Sequence, residues 1–181
     1  ITHRVSIEVF LNNIILLCFD SYLEMYKAVI VFNNWASQEI SLYADGQTVE
    51  VEWIVGPIPI NDNVGKEIIM VMKDIQSQTK FYTDANGREV LERIRDYRPT
   101  WNYSVNEPVS GNYYPINSRI WIKDQNRQLT VLTGKNLLEN QPVYRFFFYR
   151  LNADRSQGGG SIQDGSVEIM LHRRLLHVDQ F

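Results

Sequence analysis

The chain has 181 residues, 44% of them hydrophobic and 22% charged, with a formal net charge of −3. That supplies a sizeable core and ordinary surface polarity, while the slightly acidic balance gives no general attraction to a phosphate backbone and argues against nucleic acid as a partner. A single cysteine, Cys18, excludes an intrachain disulfide, and no apolar run approaches the ~18 residues of a membrane-spanning helix.

In chain order, residues 1–33 come first. They carry apolar clumps at 14–17 and 28–32 without a clean period. The chain opens on Ile1, with no Met and no signal-type segment, which reads as a truncated beginning. From Trp35 the texture changes to strands and turns. Asp45-Gly46 between apolar alternations is a strong hairpin signal. After it, Val49, Val51, Trp53 and Val55 point one way and Thr48, Glu50 and Glu52 the other, the pattern of a half-buried strand.

Gly56-Pro57-Ile58-Pro59 ends that strand, because proline cannot donate to a ladder. Residues 61–65 form a loop and 68–72 another strand. Asp84-Ala85-Asn86-Gly87 is a turn between Lys80-Phe81-Tyr82 and Glu89-Val90-Leu91. Later strands are predicted at 119–123, 128–133 and 167–173. In the last, Val167, Ile169 and Leu171 share a face opposite Glu168, Met170 and His172. Ten Tyr and four Trp suit pleated surfaces. Short strands, polar turns and no amphipathic helix predict an all-β sandwich.

The strands carry recognisable words. Val55-Gly56-Pro57-Ile58-Pro59-Ile60 is followed by Phe81-Tyr82-Thr83-Asp84-Ala85-Asn86-Gly87-Arg88-Glu89 and Arg93-Ile94-Arg95-Asp96-Tyr97-Arg98-Pro99-Thr100-Trp101. Pro108-Val109-Ser110-Gly111-Asn112-Tyr113-Tyr114-Pro115 comes next, then Gln128-Leu129-Thr130-Val131-Leu132-Thr133, Asp154-Arg155-Ser156-Gln157-Gly158-Gly159 and Asp164-Gly165-Ser166-Val167. In this order, over about 35–176, they resemble the C-terminal β-domain of family 38 glycoside hydrolases, the α-mannosidases of the lysosomal and plant vacuolar branch. The resemblance implies an incomplete, supersandwich-like β-domain. It also implies a parent enzyme that hydrolyses terminal α-linked mannose of N-glycans with retention, in a vacuole, a lysosome or outside the cell. In the family, a zinc ion and an aspartate nucleophile sit on an N-terminal catalytic domain, which is then this chain's partner alongside a mannose-containing glycan.

The residues themselves offer no such chemistry. Retaining hydrolysis needs two carboxyl groups about 5–5.5 Å apart, and a catalytic zinc needs three or more fixed ligands. The only histidines are His3, His172 and His177, with no HExxH motif, so no metal site and no catalytic residue is expected in this chain. Asp84, Glu89, Glu92 and Asp96 interleave with Arg88, Arg93, Arg95 and Arg98, which reads as a solvated charge ladder rather than a catalytic dyad.

By the resemblance, the loop holding Arg155 approaches the sugar site, so Arg155 is the substrate-contact candidate. Gly158, Gly159 and Gly160 either let the backbone approach a ligand or partner surface, or make an ordinary hairpin loop. Tyr113 and Tyr114 are further candidates for sugar contact, with packing the favoured alternative; Tyr114 is carried as a substrate-binding candidate. Asn102-Tyr103-Ser104 is a sequon, so Asn102 is a glycosylation candidate on a secretory-route protein.

Two stretches depart from the family. Residues 1–33 match none of its motifs and form a separate segment, leaving 34–181 as the β-domain. Residues 134–153 interrupt that domain where the family runs directly from Thr133 to Asp154. Their aromatic run Tyr144-Arg145-Phe146-Phe147-Phe148-Tyr149 is an aggregation hazard in a strand connection. Gly134-Lys135-Asn136 can be encoded across a splice-donor-like sequence, and Ala153-Asp154 across an acceptor-like one, so a retained intron is expected. Against the enzyme-fragment reading stand a non-catalytic carbohydrate-binding or interaction module, using Trp35, Trp101 or Trp121 as a stacking platform, and a pseudogene product.

Overall fold

Side chains that alternate between apolar and polar settle with one face in oil and one in water only as strands. The computed structural model describes residues 2–8, 18–20, 25–43, 49–73, 75–84, 87–132 and 158–175. Along them run β1 (Thr2–Glu8), β2 (Cys18–Asp20), β3 (Met25–Asn33), β4 (Ala36–Tyr43), β5 (Val49–Val55), β6 (Gly65–Lys73) and β7 (Lys80–Asp84). β8 (Val90–Ile94), β9 (Tyr113–Pro115), β10 (Arg119–Lys123), β11 (Gln128–Leu132), β12 (Gly158–Gly160) and β13 (Ser166–Arg174) complete the order. Among the described residues the helical content is one 3-10 turn, Ser110–Asn112. The all-β expectation holds.

The strands form three sheets, ordered β2-β3-β4-β5, β11-β10-β7-β8 and β1-β6-β13-β12-β9. Pairing is antiparallel except for β1, which lies parallel to β6. The strands on either side of each predicted turn pair as ladder neighbours, Leu42 facing Val49 and Asp84 facing Val90, while residues 44–48 and 85–86 lie outside the described residues. In β5 the alternation reads as expected. Val51 is buried, Val49, Trp53 and Val55 pack against the core, and Glu50 and Glu52 take the opposite face. There Lys27 pairs with Glu39. Burial, then the neighbouring Glu50 and Glu39 carboxylates, push the Glu52 carboxyl up.

All three sheets send side chains into one core. Ala36 and Val51 come from the first, Phe81, Ile120, Ile122 and Val131 from the second, and Ile68, Met70, Val167 and Ile169 from the third. Each of these side chains except the small Ala36 contributes about 1.5–3 kcal/mol of burial. In β13, Val167, Ile169 and Leu171 face the core, and His172 is exposed. Glu168, expected on the solvated side, is buried too.

Residues 1–33 supply β1, β2 and β3. β3 shows no clean polar–apolar alternation because, Lys27 aside, apolar side chains lie on both its faces. Ala28 lies in register with Ile40 and Val51 on the inner side, while Val29 and Val31 lie on the outer side. Val31 and Ile54 flank Ser37 there and are 71% and 72% exposed.

Candidate functional site

The motif-rich stretch 84–119 is held by one carboxylate. Asp84 closes β7 and is fully buried. Its Oδ1 accepts N–H bonds from Asn117, Ser118 and Arg119, each at 3.0 Å, and its Oδ2 accepts from the Gly87 and Ser118 N–H groups and the Ser118 hydroxyl at 2.9 Å. Burial pushes this carboxyl up, but the bonds from Arg119, Ser118 and Asn117 outweigh it and hold it below the usual carboxylate range. Asp84 is therefore not a rung of a solvated ladder: it ties the β7–β8 turn to the start of β10. Glu92 does keep to the surface, paired with Lys80 at 3.0 Å and accepting the Tyr82 hydroxyl at 2.8 Å.

A second tie follows. Asp96 sits at φ 59°, a left-handed conformation that Asn and Asp tolerate better than most residues. The fully buried Asn112 fixes it. The Asn112 amide donates to Asp96 Oδ1 (2.7 Å) and the Pro108 carbonyl (2.8 Å), and its oxygen accepts the Asp96 N–H (2.9 Å). This clamp sets the chain just before β9, where Tyr113 and Tyr114 point to opposite faces.

Tyr114 faces inward. Its ring meets Phe81 edge-on at 5.7 Å, with the Arg93 guanidinium 4.2 Å and that of Arg98 5.2 Å from its centre. Tyr113 lies on the outer face and donates its hydroxyl to the buried Glu168. Between them runs β12. Gly160 stands in register with both Tyr113 and Glu168, and Gly159 with Tyr114 and Ile169. A Cβ on Gly158 would lie 2.7 Å from the Tyr113 ring, one on Gly159 2.3 Å from Ile116 Cδ1, and one on Gly160 2.2 Å from the Asn112 carbonyl oxygen. The three glycines thus form a central strand packed on this chain's own residues, neither a hairpin loop nor a free approach for a ligand.

Arg155 and the whole of 134–153 lie outside the described residues, as does His177. The described chain resumes three residues after Arg155, where Gly158 opens β12 opposite Pro115 in a strand paired on both edges. The three platform tryptophans are not brought together. Trp35 packs on the core, Trp121 stacks on Tyr82 at 3.7 Å, and Trp101 is 57% exposed on the segment before β9. Asn102 is exposed on that same segment.

Among the described residues, no three His, Cys, Asp or Glu side chains gather as metal ligands. The two deeply buried carboxylates are committed elsewhere, Asp84 to the turn and Glu168 to Tyr113. No zinc site fits the donors among the described residues.

The model for the C-terminal domain of glycosyl hydrolases family 38 matches residues 24–137. The chain belongs to that family. Its match begins inside the segment 1–33 and takes in β3. The chain is 50% identical over 149 residues to the lysosomal alpha-mannosidase of Homo sapiens and 51% to that of Felis catus. It is 44% identical over the same length to the alpha-mannosidase of Canavalia ensiformis. These alignments cover 82% of this chain and 13% of each relative, so the chain spans about an eighth of the length of these family 38 proteins.

Proposed function

We propose that this chain is the C-terminal β-portion of a retaining α-mannosidase that removes terminal α-linked mannose from N-glycans in a lysosome or vacuole. In this reading the portion is a scaffold that docks on the N-terminal catalytic domain and lends Arg155 to the rim of the sugar site. The observation that carries it is the family match over 24–137 joined to half-identity with named α-mannosidases. The Arg155 role rests on the resemblance of its loop, and the anchoring of β12 supports it. A side chain on a loop is precise only when the element after it is fixed, and here Tyr113 and Asn112 on one side and Glu168 on the other fix it.

The chemistry belongs to the catalytic domain. In this reading any zinc would be held by that domain, and no step passes through a metal on this chain. The purified chain is expected to release no product from an aryl α-mannoside and to hold no stoichiometric zinc by elemental analysis. Turnover abolished by a substitution inside this chain would overturn the reading.

We also read 134–153 as a retained intron. Without it, Thr133 and Asp154-Arg155-Ser156-Gln157 would be the whole link from β11 to β12, within the ordinary ~4–6 residues of a connection. Mature transcripts are expected to lack its coding sequence; reads crossing both junctions intact, with a deletion variant that loses folding, would show a true insertion.

A further inference from the structure

Asn102-Tyr103-Ser104 is the one Asn-x-Ser/Thr triplet in the 181 residues, and the fold presents it in a particular way. Tyr103 is the pin. Its ring lies 4.7 Å from the Arg98 guanidinium and packs so closely on Gly111 that a Cβ there would stand 1.9 Å from the phenol oxygen. Trp101, two residues back, sets its ring edge-on against Tyr103 at 5.2 Å and 74°. With the odd-numbered side chains drawn together on the protein, Asn102 and Ser104 are left exposed. The middle residue is not proline, and the stretch 102–105 has no ladder hydrogen bonds to break, so both side chains of the triplet can enter a transferase site.

We propose that Asn102 carries an N-linked glycan in the secretory route. The donor class is an oligosaccharide joined to a lipid through a diphosphate. The Asn102 Nδ2 forms a bond to the anomeric carbon, the bond from that carbon to the diphosphate oxygen breaks, the lipid diphosphate leaves, and one amide proton goes to base. The sugar then stands beside Trp101, at 57% exposure the most open aromatic ring among the described residues. A hydrated oligosaccharide there keeps this side of the domain in solvent, so the rest of the parent polypeptide must pack on another side.

The site does not depend on the mannosidase reading, and the test separates them. The chain behind a secretory leader is translated into microsomes, so modification is read without export or activity. The protease-protected chain is expected to run as one shifted species, returned to the unmodified position by peptide:N-glycosidase with Asp at position 102. Asn102→Gln and Ser104→Ala should each abolish the shift, and Ser104→Thr should raise its occupancy. A protease-protected chain without a glycosidase-sensitive shift, in both the natural sequence and Ser104→Thr, overturns the proposal.

Discussion

Asp84→Ala is expected to lower the unfolding free energy by about 3 kcal/mol, because four backbone N–H groups lose the buried acceptor they share and each one kept from water costs about 1–3 kcal/mol. Both carboxylate oxygens accept backbone N–H groups. Asp84→Asn should therefore be nearly as damaging, since either orientation of its amide turns an NH2 towards a donor. Glu92→Gln, on the same hairpin but at the surface, should stay within about 0.5 kcal/mol. The urea midpoint of each variant checks the series, with soluble yield as a second readout. Acid supplies the sign. The native carboxyl lies below its usual range, so its contribution is fully present above the unfolded value near pH ~3.9. It is lost as the pH falls through the lower native value. The natural chain should weaken below about pH 4, and Asp84→Asn should lose that part of the acid dependence. Equal midpoints for Asp84→Asn and the natural chain at neutral pH would remove this carboxylate from the fold.

How legible this was differs along the chain. β5 and β13 declared themselves through alternation, since each buries one apolar face against the shared core. The pairings of β4 with β5 and of β7 with β8 were marked by Asp-Gly and Asn-Gly between the strands, dipeptides that favour tight turns. β12 was hidden because three glycines carry no side-chain pattern and weaken a strand in isolation; tertiary crowding by Tyr113, Ile116 and Asn112 is what demands them. β3 was hidden for the opposite reason, carrying apolar side chains on both faces with Lys27 the one charge. Asp84 looked like its charged neighbours in one dimension, and only the return of 117–119 over the β7 end reveals it as an acceptor for backbone amides. Glu168 likewise gave no sign that the hydroxyl of a tyrosine fifty-five positions away would meet it. The α-mannosidase affiliation, by contrast, was written in ordered words, because those words include the turn residues, the clamp Asn112 and the close-packed glycines that this fold cannot replace.

Those glycines set up the last expectation. Gly87 and Gly160 are needed for different reasons, and alanine tells them apart. Gly87 sits at φ +76° with open space around its Cβ position, so Gly87→Ala should cost about 1 kcal/mol of backbone strain. Gly160 has no left-handed backbone, but a Cβ there would meet the Asn112 carbonyl oxygen at 2.2 Å. A backbone atom cannot rotate away, so β12 must separate from β9 or the Asn112–Asp96 clamp must shift. Overpacking of this kind costs about 1–3 kcal/mol and sometimes more, and Gly160→Ala belongs at the upper end. Since β12 begins three residues after Arg155, the proposed role of Arg155 makes the same substitution functional. In the parent enzyme, Gly160→Ala should lower both the thermal midpoint and kcat/KM for an α-mannoside. Arg155→Ala should lower kcat/KM about tenfold or more, the effect of losing one charged contact worth roughly 1.5–3 kcal/mol, with the midpoint unchanged. A Gly160→Ala enzyme with natural stability would refute the crowding at β12. An Arg155→Ala enzyme with natural kcat/KM would leave the strand in place and remove the arginine from the sugar site.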